Sequence, residues 1–463
     1  MFTFHKNKIA YLLLLFLAFQ PIIDILTTFS IQTLNADATF GLLIRVAYML
    51  LSVVFILSQF KQSTLAKKSL YYLSLIGVFI AINLFVNLYQ KPHFYLFSEI
   101  KFITKTFYTV IIFISLSLVL EHFRKSNIDY KKLFLKVLVA SSVTIGIVMI
   151  VSILTNTSLS SYDYTKIGYV GWFYAGNEIG AICAIILPIL SYYAISKTST
   201  IKKAYTWIPF ILVGYSLIMF GTKVGFLSLF AVFIVSIIIL LIAILSKKNQ
   251  PIKKNLQLNF GITLVLFLVL VISTPFTPIY KNTFAHLSLL GIEINQPEDI
   301  NNSTESKPPK NEHTIGNTTI NSDQIENLIL SSRELFLESH KEFYKEAPLS
   351  QKLFGMGYGG NFTQEPKMIE MDYHDIFFSL GIIGSLLYFL PFIYAGFFII
   401  RFFIRNWKMM FTPKYALLLS SVMLILGIAF LAGHVFTAPA VSIYVGCIFA
   451  FILTDLKAKT KQL

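Results

Sequence analysis

Two cysteines in 463 residues, Cys183 and Cys447, both inside apolar runs, leave this chain without a disulfide framework or metal-ligand spacing. Charge is scarce as well. Asp, Glu, Lys and Arg make up 13% of the residues, about half the share in an average soluble domain. With 56% hydrophobic residues and a mean hydropathy of +0.70, the composition excludes an ordinary soluble fold and sets that of a polytopic membrane protein. The apolar run that follows the short basic stretch Met1 to Ala10 has no small-residue cleavage site, so it reads as a retained first span and not a signal peptide. No internal repeat of the inverted-repeat transporter kind is visible.

What is present is a series of bilayer-length apolar runs, each needing about 20 residues. Twelve spans are expected, at 9–30, 39–58, 69–89, 103–120, 133–154, 174–195, 206–220, 224–246, 258–274, 376–400, 415–433 and 436–455. The pair 206–220 and 224–246 is separated only by Gly221-Thr222-Lys223 and is the least secure. The fold class is therefore all-α, with residues 1–274 a transmembrane bundle of about nine spans, 275–375 a long loop, and 376–463 three further spans with a short basic tail.

Twelve spans put both termini on one side. The connections on that side hold 24 Lys and Arg, against five (Lys91, Lys101, Lys105, Lys166 and Lys223) in the short connections opposite. The positive-inside rule places both termini in the cytoplasm and the long loop outside. The net charge of +15 is thus a topological signal, and a nucleic-acid partner has no support.

The loop has a mobile, Asn- and Thr-rich first half, Glu293 to Asn327, whose composition suits solvated chain and makes chance glycosylation sequons common. Its second half reads as folded. Ser331-Ser332-Arg333-Glu334 fits a capping box, with a helix of about 16 residues stopping before Pro348. Leu335, Phe336, His340, Phe343 and Tyr344 give that helix an apolar-aromatic face suited to a membrane surface. A glycine-rich link, Gly355-Met356-Gly357-Tyr358-Gly359-Gly360, follows, and Asp372, His374 and Asp375 stand at the lip of the next span.

Ionisable residues within spans are costly and are candidates for function. Asp24 and Arg45 fall at similar depth and can form an ion pair, which would orient two helices. Lys101 and Lys105 open the fourth span, where they can snorkel. Glu178, beside Asn177, opens the sixth, as a helix dipole favours. Lys223 sits in a tight turn on the side where positive charge is disfavoured. All lie in the expected outer half, which suggests a polar chamber beneath the loop. Arg333 opposes the dipole of its own helix, a hint of another role, and helix amides with a guanidinium make a good diphosphate site. His374 is placed to accept a proton near neutral pH.

Four local patterns together resemble the O-antigen ligase and O-antigen polymerase superfamily of bacterial membrane glycosyltransferases. Gly171-Trp172-Phe173-Tyr174-Ala175-Gly176-Asn177 is similar to its glycine–aromatic–Asn entry into a middle span. Phe220-Gly221-Thr222-Lys223-Val224-Gly225 resembles its short turn, usually Gly-Ser-Arg-Gly, with Lys for Arg. Ser332-Arg333 resembles the loop's (Ser/Gly)-Arg motif. His374, before Leu380-Gly381-Ile382-Ile383-Gly384, resembles the closing His motif, with Asp following where Asn or Ser is common.

The resemblance implies a GT-C-like inverting enzyme of the bacterial plasma membrane, needing no metal or cofactor, with its active site on the extracytoplasmic face. It implies an undecaprenyl-diphosphate-linked glycan donor and a sugar hydroxyl acceptor on a glycan or lipid. Membrane lipid, a flippase and a chain-length regulator are the further partners. In that reading Lys223, Arg333 and, below them, Arg45 bind the diphosphate, His374 takes or orients the acceptor proton, and Asn177, Glu178, Asp372 and Asp24 support. A polymerase of surface polysaccharide is favoured, with a ligase of finished glycan as the alternative. A flippase or exporter without catalysis is the alternative from another class; it predicts charges along a path through the midplane.

Overall fold

The computed structural model describes residues 2–36, 38–161, 167–246, 252–289 and 333–460, with side chains placed for these residues apart from 2–6 and 284–289. The expected capping residues Ser331 and Ser332 and the segment Glu293 to Asn327 lie outside the described residues. Among the described residues eleven helices are long and apolar enough to cross a membrane. In chain order the helices are α1 (Phe2–Gln32), α2 (Phe40–Ser58), α3 (Thr64–Gln90), α4 (Leu96–Lys125), α5 (Tyr130–Leu154), α6 (Gly176–Lys197), α7 (Ile208–Met219), α8 (Lys223–Leu245), α9 (Lys253–Ser273), α10 (Pro278–Leu289), α11 (Arg333–Glu346), α12 (Leu349–Phe354), α13 (Asp372–Arg405), α14 (Pro413–Leu431) and α15 (Pro439–Thr460). An antiparallel pair, β1 (Leu159–Ser160) and β2 (Tyr169–Gly171), joins α5 to α6. The all-α membrane architecture expected from the sequence is what forms.

The short α7 accounts for the insecure span. Its 12 residues rise about 18 Å, and the seven-residue 3-10 turn before it, Ile201–Trp207, adds about 14 Å. At one end Asn259 of α9 donates to the Thr198 carbonyl (2.9 Å) just past α6 and accepts from Trp207 Nε1 (3.2 Å). At the other end Gly221, just past α7, and Asn177, at the start of α6, line the same cavity. The 3-10 turn and α7 therefore run the length of α6.

Three helices, α4, α6 and α15, form the buried centre, and the others wrap around them. Close approach explains the pairing of α15 with α4: a side chain at Gly446 would stand 3.1 Å from the Phe113 backbone nitrogen. Small residues at such a crossing let dispersion contacts replace the hydrophobic drive that lipid does not supply. Tyr444 of α15 donates to the Leu17 carbonyl of α1 (3.1 Å), which keeps its hydroxyl satisfied in an apolar core.

Helix α11 has 14 residues and ends before Pro348, as the pattern predicts. Its apolar face behaves otherwise than expected. His340, Phe343 and Tyr344 pack on protein, against Phe377, Phe378, Met356, Ile369 and Met371 at the mouth of α13. Only Leu335 and Phe336 stay exposed. Covering aromatic area with protein aromatics at this point seals the segment onto the bundle.

Candidate functional site: a cationic cavity at the loop-bearing end

Lys223 is placed by a turn with little freedom. Gly221 has φ +67°, and a side chain there would meet the Ile167 carbonyl at 2.5 Å and Asn282 Nδ2 at 2.6 Å. Only glycine fits both the left-handed backbone and the space. Asn282 of α10 clamps the turn, donating to the carbonyls of Gly221 (2.9 Å) and Ile167 (2.6 Å) and accepting from the Ile167 N–H (2.7 Å). Thr222 then caps α8, accepting from the Gly225 N–H at 3.2 Å. Lys223 follows as the first residue of α8, and Arg333 is the first described residue of α11. Lys223 stands where a helix dipole favours acids, at a cost of about 0.3–1 kcal/mol.

These two residues line one cavity of about 210 Å³. Asn177, in the first turn of α6, and His434 share its wall. Two helix N-termini and two cations thus converge, a combination with the oriented N–H groups and positive charge that suit an anion. Among the described residues no group of three His, Cys, Asp or Glu is arranged to hold a metal ion.

His434 is the residue that sequence reasoning missed. It sits in the short link between α14 and α15, with φ +58° after Gly433 at φ +63°. Asp372 fixes that link: its carboxylate accepts from the N–H groups of Val435 and Phe436 (both 2.8 Å) and from the Thr437 hydroxyl (2.6 Å). Facing His434 is Glu370, itself held at φ +64°. Its carboxylate lies 3.8 Å from His434 Nε2, 3.6 Å from Arg333 Nη2 and 4.0 Å from Lys367 Nζ. Non-glycine residues in this backbone region carry strain that surrounding structure must offset.

The pair titrates against each other. His434 beside it is the main influence holding Glu370 below its ordinary value, with Arg333 and Lys367 adding to it. Burial pulls His434 down, but the carboxylates of Glu370, Glu178 and Asp372 outweigh burial and hold it above its ordinary value. The stability His434 contributes is fully present below its unfolded value of about 6.5 and is lost as pH rises through the raised folded value; that of Glu370 is present above about 4.3 and lost as pH falls through its lowered value. His434→Gln is therefore expected to lower the thermal midpoint in detergent near pH 6 and to leave it unchanged near pH 9. A difference independent of pH would show that the ion pair is not its source.

The glycine-rich link is anchored more firmly than its composition suggests. Gly381 breaks α13 with φ 68° and ψ −172°. The carbonyls it frees, Phe378 and Ser379, accept from the N–H groups of Met356 (2.9 Å) and Gly357 (3.1 Å). Asn83 of α3 donates to the Phe354 and Ser379 carbonyls, and Asn87 to Gly355. A buried ion pair, Lys91–Glu99 at 2.5 Å, completes the anchor. Glu99 accepts from the Tyr358 N–H (2.8 Å) while Lys91 donates to the Tyr358 carbonyl. The strap returns the chain to Glu370 and to His374.

His374 lies in the first turn of α13 and is half-buried. Its ring centre is 6.3 Å from that of Phe430 on α14, next to Leu431, which lines the Lys223–Arg333 cavity. His374 Nδ1 is buried without a hydrogen-bond partner. Asp375 accepts from the N–H groups of Ile369 (2.8 Å) and Met371 (3.2 Å), so it shapes the strap's end. Asp24 and Arg45 form the ion pair their depth suggests, with Gln20 donating to Asp24 at 3.0 Å. Arg45, however, lines a different cavity of about 280 Å³ with Asp24, Lys101, Lys105 and Glu178. A third cavity of about 290 Å³ touches both, sharing Glu178 and Tyr174 with one and Asn177, Thr222 and His434 with the other.

The fold and these cavities define a multi-pass membrane protein with cation-lined chambers at its loop-bearing end. The pattern of one family, described as O-antigen ligase like membrane protein, matches residues 6–459, and the chain belongs to that family. Membership supports a glycan-processing membrane enzyme of glycosyltransferase type. No match was found among curated proteins.

Proposed function

We propose that the protein transfers a glycan from a polyprenyl diphosphate, of the undecaprenyl type, to a sugar hydroxyl on the extracytoplasmic face, as a polymerase of surface polysaccharide. The observation that carries this reading is the convergence of Lys223, Arg333 and the N-termini of α6 and α8 on one cavity. In the reaction the acceptor oxygen bonds to the anomeric carbon as the bond from that carbon to the diphosphate oxygen breaks. The electron pair leaves with the diphosphate, whose growing charge Lys223 and Arg333 offset; donors fixed in advance do this at no reorganisation cost. The acceptor proton passes to His374, which packs near Phe430 and is not among the residues lining that cavity in this structure. Asp372 acts from behind, holding the link that carries His434.

The cationic cavities are gathered at one end of the bundle, which supports a surface reaction over an exporter. The test is His374→Ala in cells, read as polymer length with lipid-linked units assayed on each face. Loss of polymer with units still delivered outside is expected. Normal chains would remove His374 from the mechanism, and units accumulating on the cytoplasmic face would favour the flippase.

A further inference from the structure

The cavity that holds Arg45 is unused by the mechanism above. It lies between α1, α2, α4 and α6. Its charged lining is Arg45, Lys101 and Lys105 against Asp24 and Glu178. Asp24 is committed to Arg45. Neither Lys101 nor Lys105 has an ion pair among the described residues. At its base Tyr108 is 2% exposed, and its hydroxyl has no hydrogen-bond partner. Arg45 Nε is likewise buried without one. The second carboxylate oxygen of Asp24 is also unpartnered among the described residues beside this cavity. Buried polar groups are as a rule satisfied, so these three mark it as a polar site, with more donors than acceptors once Lys101 and Lys105 are included.

The remaining wall is apolar: Leu42, Val46 and Met49 of α2 with Ile179 of α6. The outward side of α2 exposes Leu43, Leu50, Val54 and Leu57, as a lipid-facing helix does. Cations with hydrogen-bond donors at one end and an apolar wall reached past a lipid-facing helix suit a phosphate carried on a hydrocarbon chain. A soluble phosphate would gain nothing from that wall. The third cavity, lined by Asn177, Glu178 and His434, is the passage we take to lie between this cavity and the one holding Lys223 and Arg333, since it shares walls with both.

We propose that this second cavity binds the phosphate head of a lipid that carries the acceptor glycan, with Lys105, Arg45 and Tyr108 as its ligands. The acceptor assignment rests on the transferase reading; the lipid-phosphate site does not. It makes the acceptor a second lipid-linked chain, which is what a polymerase needs. Donor and acceptor heads would lie on either side of the passage.

The test counts undecaprenyl diphosphate bound to the purified full chain in nanodiscs of zwitterionic lipid, by native mass spectrometry. Two molecules per chain are expected. Lys105→Gln, and separately Tyr108→Phe, should weaken one of them about tenfold or more while sparing the other. Lys223→Gln with Arg333→Gln should weaken only the other. Equal binding of two molecules by the Lys105 and Tyr108 variants overturns the proposal. So does displacement of the second lipid by inorganic pyrophosphate or by phosphatidylglycerol at equal concentration. If the Lys105 variant loses one molecule and the Lys223/Arg333 variant loses none, the second site stands and the donor-site reading fails.

Discussion

Lys223→Gln is expected to lower glycan transfer by about 10²- to 10³-fold while leaving the fold intact. Lys223 opens α8 against the helix dipole, so its removal relieves a small local cost. The Thr222 cap and the Asn282 clamp, which hold the turn, do not involve its side chain. On the proposed reading, what the reaction loses is a charge that offsets the leaving diphosphate. Lys223→Arg should keep most of the rate, because charge is retained and the fork suits phosphate bidentately. A transfer assay with a lipid-linked glycan, run alongside a thermal melt, separates the two effects. Turnover of Lys223→Gln equal to that of the native protein would dissociate this cavity from the chemistry. Arg333 is a less clean probe, since its guanidinium also faces Glu370 and its loss would unsettle the strap as well.

The parts of this molecule that could be read in the sequence are those governed by local rules. A bilayer demands about 20 apolar residues per helix, so most helix positions emerged to within a few residues. The exception, α7, crosses partly as a 3-10 turn, which stretches fewer residues over the same distance and thins the apolar signal. Lys223 was visible because it breaks the positive-inside rule and Arg333 because it opposes the dipole of its expected helix, and the structure brings both to one cavity. Arg45 broke a rule too, but depth along a span does not reveal lateral position, and it faces a different chamber.

His434 and Glu370 left no such trace. Each lies in a link between helices, where no periodicity exists to be violated, and their meaning comes only from one another and from Asp372 behind them. The strap was hidden for the same reason. Glu99 and Tyr358 are 259 positions apart, and nothing near either forecasts the contact. Long-range pairing of this sort assembles the loop-bearing end, and the cavities depend on it.

Glu99→Ala should therefore do the most damage of any single change remote from the cavities. Lys91 and Glu99 are 1% and 2% exposed at the side chain, so neither charge is screened. Removing one partner leaves the other buried without compensation, a loss of about 3–5 kcal/mol. Lys91, already pulled below its ordinary value by burial, would shed its proton to limit the cost. The Tyr358 N–H loses its acceptor at the same time, adding about 1–3 kcal/mol. Gly357 has no slack to adapt, because its φ is +71° and a Cβ there would lie 2.6 Å from Glu99 Oε2. Replacing both partners, as Lys91→Met with Glu99→Leu, removes the stranded charge but still frees the Tyr358 N–H and carbonyl. The double variant should thus recover much of the thermal midpoint while the strap stays loose. Hydrogen exchange over residues 355–360 is expected to rise in both variants, and transfer to fall with it, since the strap sets the positions of Glu370 and His374. Unchanged exchange in Glu99→Ala would show that Asn83, Asn87 and the break at Gly381 anchor the strap without the ion pair.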